Sequence, residues 1–145
     1  MSTISVNIGT GNDNGYYAAE WFANPSTCGI GKAYAGNVVW SAFRFDNINI
    51  EPGSTISSAY LKLKADGNDS SSINFKINGI DEDDTASLSS DPGGRSKTTA
   101  NVAWSINTVT NNTVYTSDDI KSIIQEIVDR PGWSANNAIG LITTD

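Results

Sequence analysis

The chain has no histidine, one cysteine and one methionine. Without histidine, neither a Ser–His–Asp nor a Cys–His nucleophile can be assembled, and the commonest zinc ligand is missing. A single cysteine, Cys28, closes no intrachain disulfide, so disulfides do not hold the fold. With no histidine to activate it, Cys28 is not expected to act as a nucleophile. Charge is scarce too: 17% of residues, with 9 cationic against 16 anionic side chains and a net charge of −7. The cations form no basic run, which argues against nucleic acid or an anionic membrane as a partner, since both need clustered Lys and Arg. No apolar run approaches the ~20 residues of a membrane span. The opening MSTISVNIGT lacks a positive start and a long apolar stretch, so no signal peptide is expected there.

What fills the chain instead is Ser, Thr, Asn and Gly between short apolar runs. Its 145 residues suffice for one domain with a real core, residues 1–145. A surface solvated by neutral polar groups suits an extracellular or virion β protein. Thr3 to Ile8 alternates, with Ile4, Val6 and Ile8 on one face, and predicts a half-buried strand. Gly9 to Gly15 reads as a glycine-rich hinge and Tyr16 to Phe22 as an aromatic strand. Asn24 to Gly36 reads as a long loop. Val38 to Phe45, Ile56 to Ala65, Ile73 to Ile80, Thr98 to Ile106 and Ala138 to Thr143 are predicted strands. In the second of these, Ala59, Leu61, Leu63 and Ala65 should point inward. Asp81 to Lys97 is an acidic, then Ser/Pro/Gly-rich connection anchored by Ala86 and Leu88. Val109 to Tyr115 is a polar strand or extended loop. Many short strands with turn signals between them predict an all-β sandwich or jelly roll.

One stretch breaks the pattern. In Ser117 to Trp133, Ile120, Ile123, Ile124, Ile127 and Val128 fall on a single helical stripe. Ser117 is the expected N-cap, with Asp118 and Asp119 at the positive end of the dipole and Arg130 at the negative end. Pro131 and Gly132 should stop the helix, the glycine through a left-handed exit.

FRFDNINIEPGSTISSAYLKLKADG (Phe43 to Gly67), the strand around Trp104 and DIKSIIQEIVDRPGWSANNAIGLI (Asp119 to Ile142) together resemble DNRLRE-type β-jelly-roll domains. Such domains occur in bacterial surface and secreted proteins, some carbohydrate-binding modules and environmental phage structural proteins. The resemblance matches Arg44 to the family's strand arginine, Pro52, Gly53 and Ala59 to its turn and following strand, and Pro131, Gly132 and Trp133 to its helix stop. It also implies one more strand after Ala138–Thr143, which this chain lacks. Either the chain is trimmed, or a neighbouring subunit supplies the strand. Thr3 to Ile8 is the candidate donor, on the Gly9–Gly15 hinge.

Each candidate site has a plainer reading beside it. Asp81, Asp83 and Asp84, with Glu82, could give oxygens to Ca²⁺ or could be a solvated acidic turn. Asn12-Asp13-Asn14 and Asp66, Asn68 and Asp69 are oxygen-rich in the manner of ordinary turns. Tyr16, Tyr17 and Trp21 could form a platform for a sugar or belong to the core. Trp40 and Trp104 are expected in the core and Trp133 under the helix. Arg44 in an apolar strand needs a carboxylate, Asp46 or an acidic loop residue. Asn68-Asp69-Ser70 and Asn111-Asn112-Thr113 fit the N-glycosylation pattern, which an Asn/Ser/Thr-rich chain also produces by chance. The leading functional expectation is a non-enzymatic structural subunit that forms a homo-oligomer or homopolymer outside the cell, in a surface filament or a virion. A carbohydrate-binding module is the alternative, and a small hydrolase using paired carboxylates is weaker than either.

Overall fold

A computed structural model describes residues 3–9, 12–23, 25–30 and 39–144. Met1 and Ser2 of the expected first strand, Thr10 and Gly11 of the hinge, Asn24 and residues 31–36 of the long loop, and Val38 of the next strand lie outside them. The fold is all-β with one short helix. Strands β1 (Asn14–Tyr17), β2 (Trp21–Ala23), β3 (Trp40–Phe45), β5 (Ile73–Ile80), β6 (Lys97–Ile106) and β8 (Ile139–Thr144) form one antiparallel sheet in the order β2-β1-β3-β8-β5-β6. Strands β4 (Lys62–Lys64) and β7 (Val114–Thr116) pair separately as a small sheet, and helix α1 spans Lys121–Val128.

The core follows from the pleat, which sends alternate side chains to opposite faces. One face of the large sheet presents Phe43, Phe75, Ile77, Trp104, Ile139 and Leu141. Leu61 and the helical stripe Ile120, Ile123, Ile124, Ile127 and Val128 close over them, with Trp133 beneath the helix end. On the other face, Ala42, Ile80 and Ile142 meet Leu88, which arrives on the loop after β5. That loop is pinned where Leu88 N–H donates to Asn12 O and Trp21 Nε1 donates to Leu88 O. Ala86, the other expected anchor, is exposed, and Thr85 and Pro92 are the buried loop residues beside Leu88.

Several expected elements change in extent. Residues 3–8 form no ladder, although Val6 and Ile8 still pack on the core. The aromatic stretch splits into β1 and β2 around Ala19, whose φ of 74° makes the turn. Residues 58–65 keep the expected alternation of inward and outward side chains, yet only Lys62–Lys64 joins a ladder. The rest is held by the segment before α1: Ser117 N–H donates to Leu61 O and Ile120 N–H to Ala59 O.

That pairing shortens the helix. Ser117 is not its cap, because Ser117 Oγ accepts Leu61 N–H at 3.0 Å and donates to Asp118 O. Ile120 occupies the N-cap position with no side-chain bond, and Asp119 Oδ1 accepts both Lys121 N–H and Ala59 N–H. The Ala59 bond, set against partial desolvation and helped by Lys121, holds the Asp119 carboxyl below its ordinary range. Gly132 makes no left-handed exit; a Cβ there would collide with the Asp83 carboxylate. Near the helix, β5 and β6 lose register between Asn78 and Ile80. Glu126 takes up the released amides, accepting Thr99 N–H at 2.7 Å and Ala100 N–H at 2.8 Å. A carboxylate there also blunts an open sheet edge.

Candidate functional site

The small sheet leaves an opening in the sandwich. Between it and the large sheet lies a groove of about 930 Å³ whose apolar walls include Phe43, Leu63, Ile73, Phe75, Ile106 and Tyr115. Ile8, from the N-terminal residues, lines it too. Cys28 lines it as well, accepting a bond from Asn14 Nδ2, and burial pushes its thiol up, so it is protonated near neutral pH. The opening does not lie beside β8, after which the resemblance implies a further strand. β8 is hydrogen-bonded on one edge to β3 and on the other to β5, and the unfilled space is at β4 and β7.

Of the strand-donor residues, Val6 and Ile8 rest against the chain's own core while Ile4 is 46% exposed. Residues 3–9 carry no charged side chain. Just beyond them the chain is anchored by Asp13, whose backbone O accepts Arg44 N–H and whose carboxylate accepts Arg44 Nη1. A Cβ on Gly9 would stand 2.5 Å from Asp13 Oδ2, so glycine permits this close approach.

The aromatic candidates are divided by strand alternation. Tyr17 stacks on Trp40 at 5.4 Å, and Trp21 tilts against Trp40 at 5.5 Å, giving a row on the loop-covered face of the sheet. Tyr16 points the opposite way and stacks on Phe22 at 4.9 Å. Of the three candidates, Tyr17 and Trp21 therefore share one face, both against Trp40, and Tyr16 lies on the other. The sign was already present in the sequence, because neighbours on a strand face apart. Gly15 lets Trp21 lie flat, since a Cβ there would enter the indole ring.

The acidic run disperses. Asp83 Oδ1 accepts Arg130 Nε at 2.7 Å and Asp81 accepts Arg130 Nη1. Glu82 pairs with Arg95, and Asp84 accepts Ala138 N–H. Asp83 and Asp81 outweigh the desolvation of Arg130 and raise its pKa. The expected calcium ligands Asp81, Asp83 and Asp84 thus turn to a guanidinium and a backbone amide and do not converge on a point. Among the described residues, no three His, Cys, Asp or Glu side chains could hold a metal ion. The run instead straps the loop after β5 to the end of α1.

Arg44 has the expected Asp46 as one partner, at 3.2 Å, but its stronger bonds are to Asp13 at 2.8 Å and to Thr85 O at 2.7 Å. Burial opposes its charge, and the two carboxylates more than offset that, so its pKa is raised. The glycosylation candidates share one tip: Asn111 N–H donates to Asn68 Oδ1 at 2.9 Å beside the Asp69–Val109 bridge, and both asparagines are exposed. No helix among the described residues is long and apolar enough to cross a membrane. Compared with models of known protein families and with characterised proteins, the chain matches no family and no protein.

Proposed function

We propose that this protein is a non-enzymatic structural subunit of an extracellular assembly, a surface filament or a phage fibre or decoration protein, joined head to tail by strand complementation. The observation that carries the reading is the apolar groove at the small sheet, with an uncharged, alternating, unladdered segment whose Ile8 lines it. An extended segment with Ile4, Val6 and Ile8 on one face can add main-chain bonds to β4 or β7 and bury those side chains in the groove of the next copy. Exchange of an identical element between copies replaces contacts the segment already makes in its own chain, so it costs little. The likeness to DNRLRE-type jelly-roll domains supports the same reading. Deleting residues 1–8 should abolish self-association in sedimentation velocity while the far-UV spectrum stays β-rich. Self-association that persists without them would sink strand complementation.

The row of Tyr17, Trp40 and Trp21 favours a second reading, a carbohydrate-binding module. Aromatic faces stack on the apolar faces of sugars. This reading expects saturable binding on a glycan array, weakened at least about tenfold in Tyr17→Ala or Trp21→Ala, which is ~1.4 kcal/mol. A flat array removes it.

A further inference from the structure

Cations in this chain are few, and most are engaged. Arg44, Arg95, Arg130 and Lys121 each face a carboxylate, and Lys97 Nζ donates to Gly93 O. Among the described residues, Lys62, Lys64 and Lys76 have no such partner. Two of these three stand on one face of β4, turned to solvent. Tyr60 precedes them on that face at 54% exposure, and Val114, opposite Lys64 in the ladder, is 56% exposed. The outer face of the small sheet therefore joins two free positive charges to two well-exposed large apolar side chains, on a molecule of net charge −7.

A surface of the opposite kind lies on α1. A shallow depression of about 600 Å³ is lined by Asp81, Ser122, Gln125, Glu126, Asp129 and Arg130. Its three carboxylates and one guanidinium leave a net charge of −2. Arg130 is held by Asp81 and Asp83, while the exposed Asp129 accepts only Gln125 Nε2 among the described bonds. The spacings agree as well. Two residues along a strand are about 6.6 Å apart, and Glu126 and Asp129, three apart on a helix, bring their Cβ atoms within about 5–6 Å; Glu126 keeps its charge while accepting Thr99 and Ala100 N–H, and Asp129 is the more exposed of the two.

We propose that the Lys62–Lys64 face of the small sheet docks on the acidic face of α1 in a second copy of this chain. The inference rests on the self-association reading and adds to it a contact that does not involve the N-terminal segment. Like-charged copies repel over most of their surface, so the meeting of these two faces sets their orientation. Tyr60 and Val114 lose water in the contact, and the lysines confine it to an acidic partner.

The test is charge exchange, read by sedimentation velocity at about 50 mM and about 500 mM salt, where the Debye length falls from roughly 14 Å to roughly 4 Å. The association of the wild-type chain should weaken at the higher salt. Lys62→Glu/Lys64→Glu and, separately, Asp129→Lys should each reduce the association constant at least about tenfold. An equimolar mixture of the two variants should restore it, because each then offers the other an opposite charge. Both changes fall on exposed side chains, and unchanged tryptophan emission checks that the fold survives. A mixture no stronger than its components overturns the proposal. So does a chain that remains monomeric and binds a sulfated polysaccharide through the lysine face. If the chain lacking residues 1–8 still associates and is rescued by charge exchange, strand complementation falls and this contact stands. If that deletion abolishes association and the lysine variant changes nothing, the contact falls and strand complementation stands.

Discussion

Trp133→Ala should lose about 3–5 kcal/mol of unfolding free energy, the usual range for truncating a buried aromatic to alanine. Trp133 is 3% exposed and lies under the end of α1. Its ring packs in the cluster built around the helical stripe, and its Nε1–H donates to Ile50 O at 2.9 Å. Alanine leaves a cavity where the helix, the chain before β4 and the large sheet meet, and it leaves the Ile50 carbonyl without its donor. A domain of this size has about 5–15 kcal/mol in total, so the variant should lose a large share of its stability and unfold at a much lower urea concentration. Trp133→Phe keeps most of the packing and loses the bond, and should cost only about 1–2 kcal/mol. Urea unfolding with an unchanged slope measures both. Equal losses in the two variants would mean that the hydrogen bond, and not the packed ring, carries the stability.

Arg44→Met should cost about 2–4 kcal/mol. Removing one member of a buried pair costs ~3–5 kcal/mol. The side chains of Arg44 and Asp13 are 17% and 12% exposed, so solvent lowers that somewhat. The guanidinium ties three pieces together: the turn before β1 through Asp13, its own strand, and the loop after β5 through Thr85 O. Methionine fills much of the volume but leaves the Asp13 carboxylate and the Thr85 carbonyl facing an apolar group. Most of the loss is the unpaired charge, so Arg44→Met/Asp13→Asn should recover more than half of it. Urea midpoints of the two variants check this. A double variant no more stable than Arg44→Met would place the loss in the Thr85 bond.

The strands and the helical stripe were legible because their cause is local. Ile73–Ile80 alternates, and it is a strand at those bounds. Ile120 to Val128 repeats at helical spacing, and those side chains are buried. Alternation does not say what a strand pairs with, however. Thr3 to Ile8 shows it and joins no ladder, while residues 58–61 show it and are held by the Ser117–Ile120 backbone and Asp119. The cap lies elsewhere for a related reason: Ser117 is suited to cap a helix, but it accepts the amide of Leu61, 56 residues away. The acidic run gave no sign of Arg130, which lies far along the chain and engages Asp81 and Asp83. Gly132 was legible as a stop but not as the space that Asp83 requires. The face of Lys62 and Lys64 could be read from the alternation of residues 58–65; that these are among the few unengaged cations could not, because it depends on where every other cation ends up.

The position of β8 in the middle of the large sheet bears on how the chain folds as it is made. β3 and β5 are neighbours only through β8, which follows both in chain order. While the chain emerges from the ribosome, the half-sheet of β2, β1 and β3 and the hairpin of β5 and β6 each hold a bare edge open for that one strand. The contacts that unite them reach 100 residues along the chain in the β3–β8 ladder, between Ala42 and Ile142. Long-range closure of this kind is slow and exposes unpaired edges in the meantime. Those edges stay unpaired until residues 139–144 are made, the stage at which pairing with another copy would compete with pairing to β8.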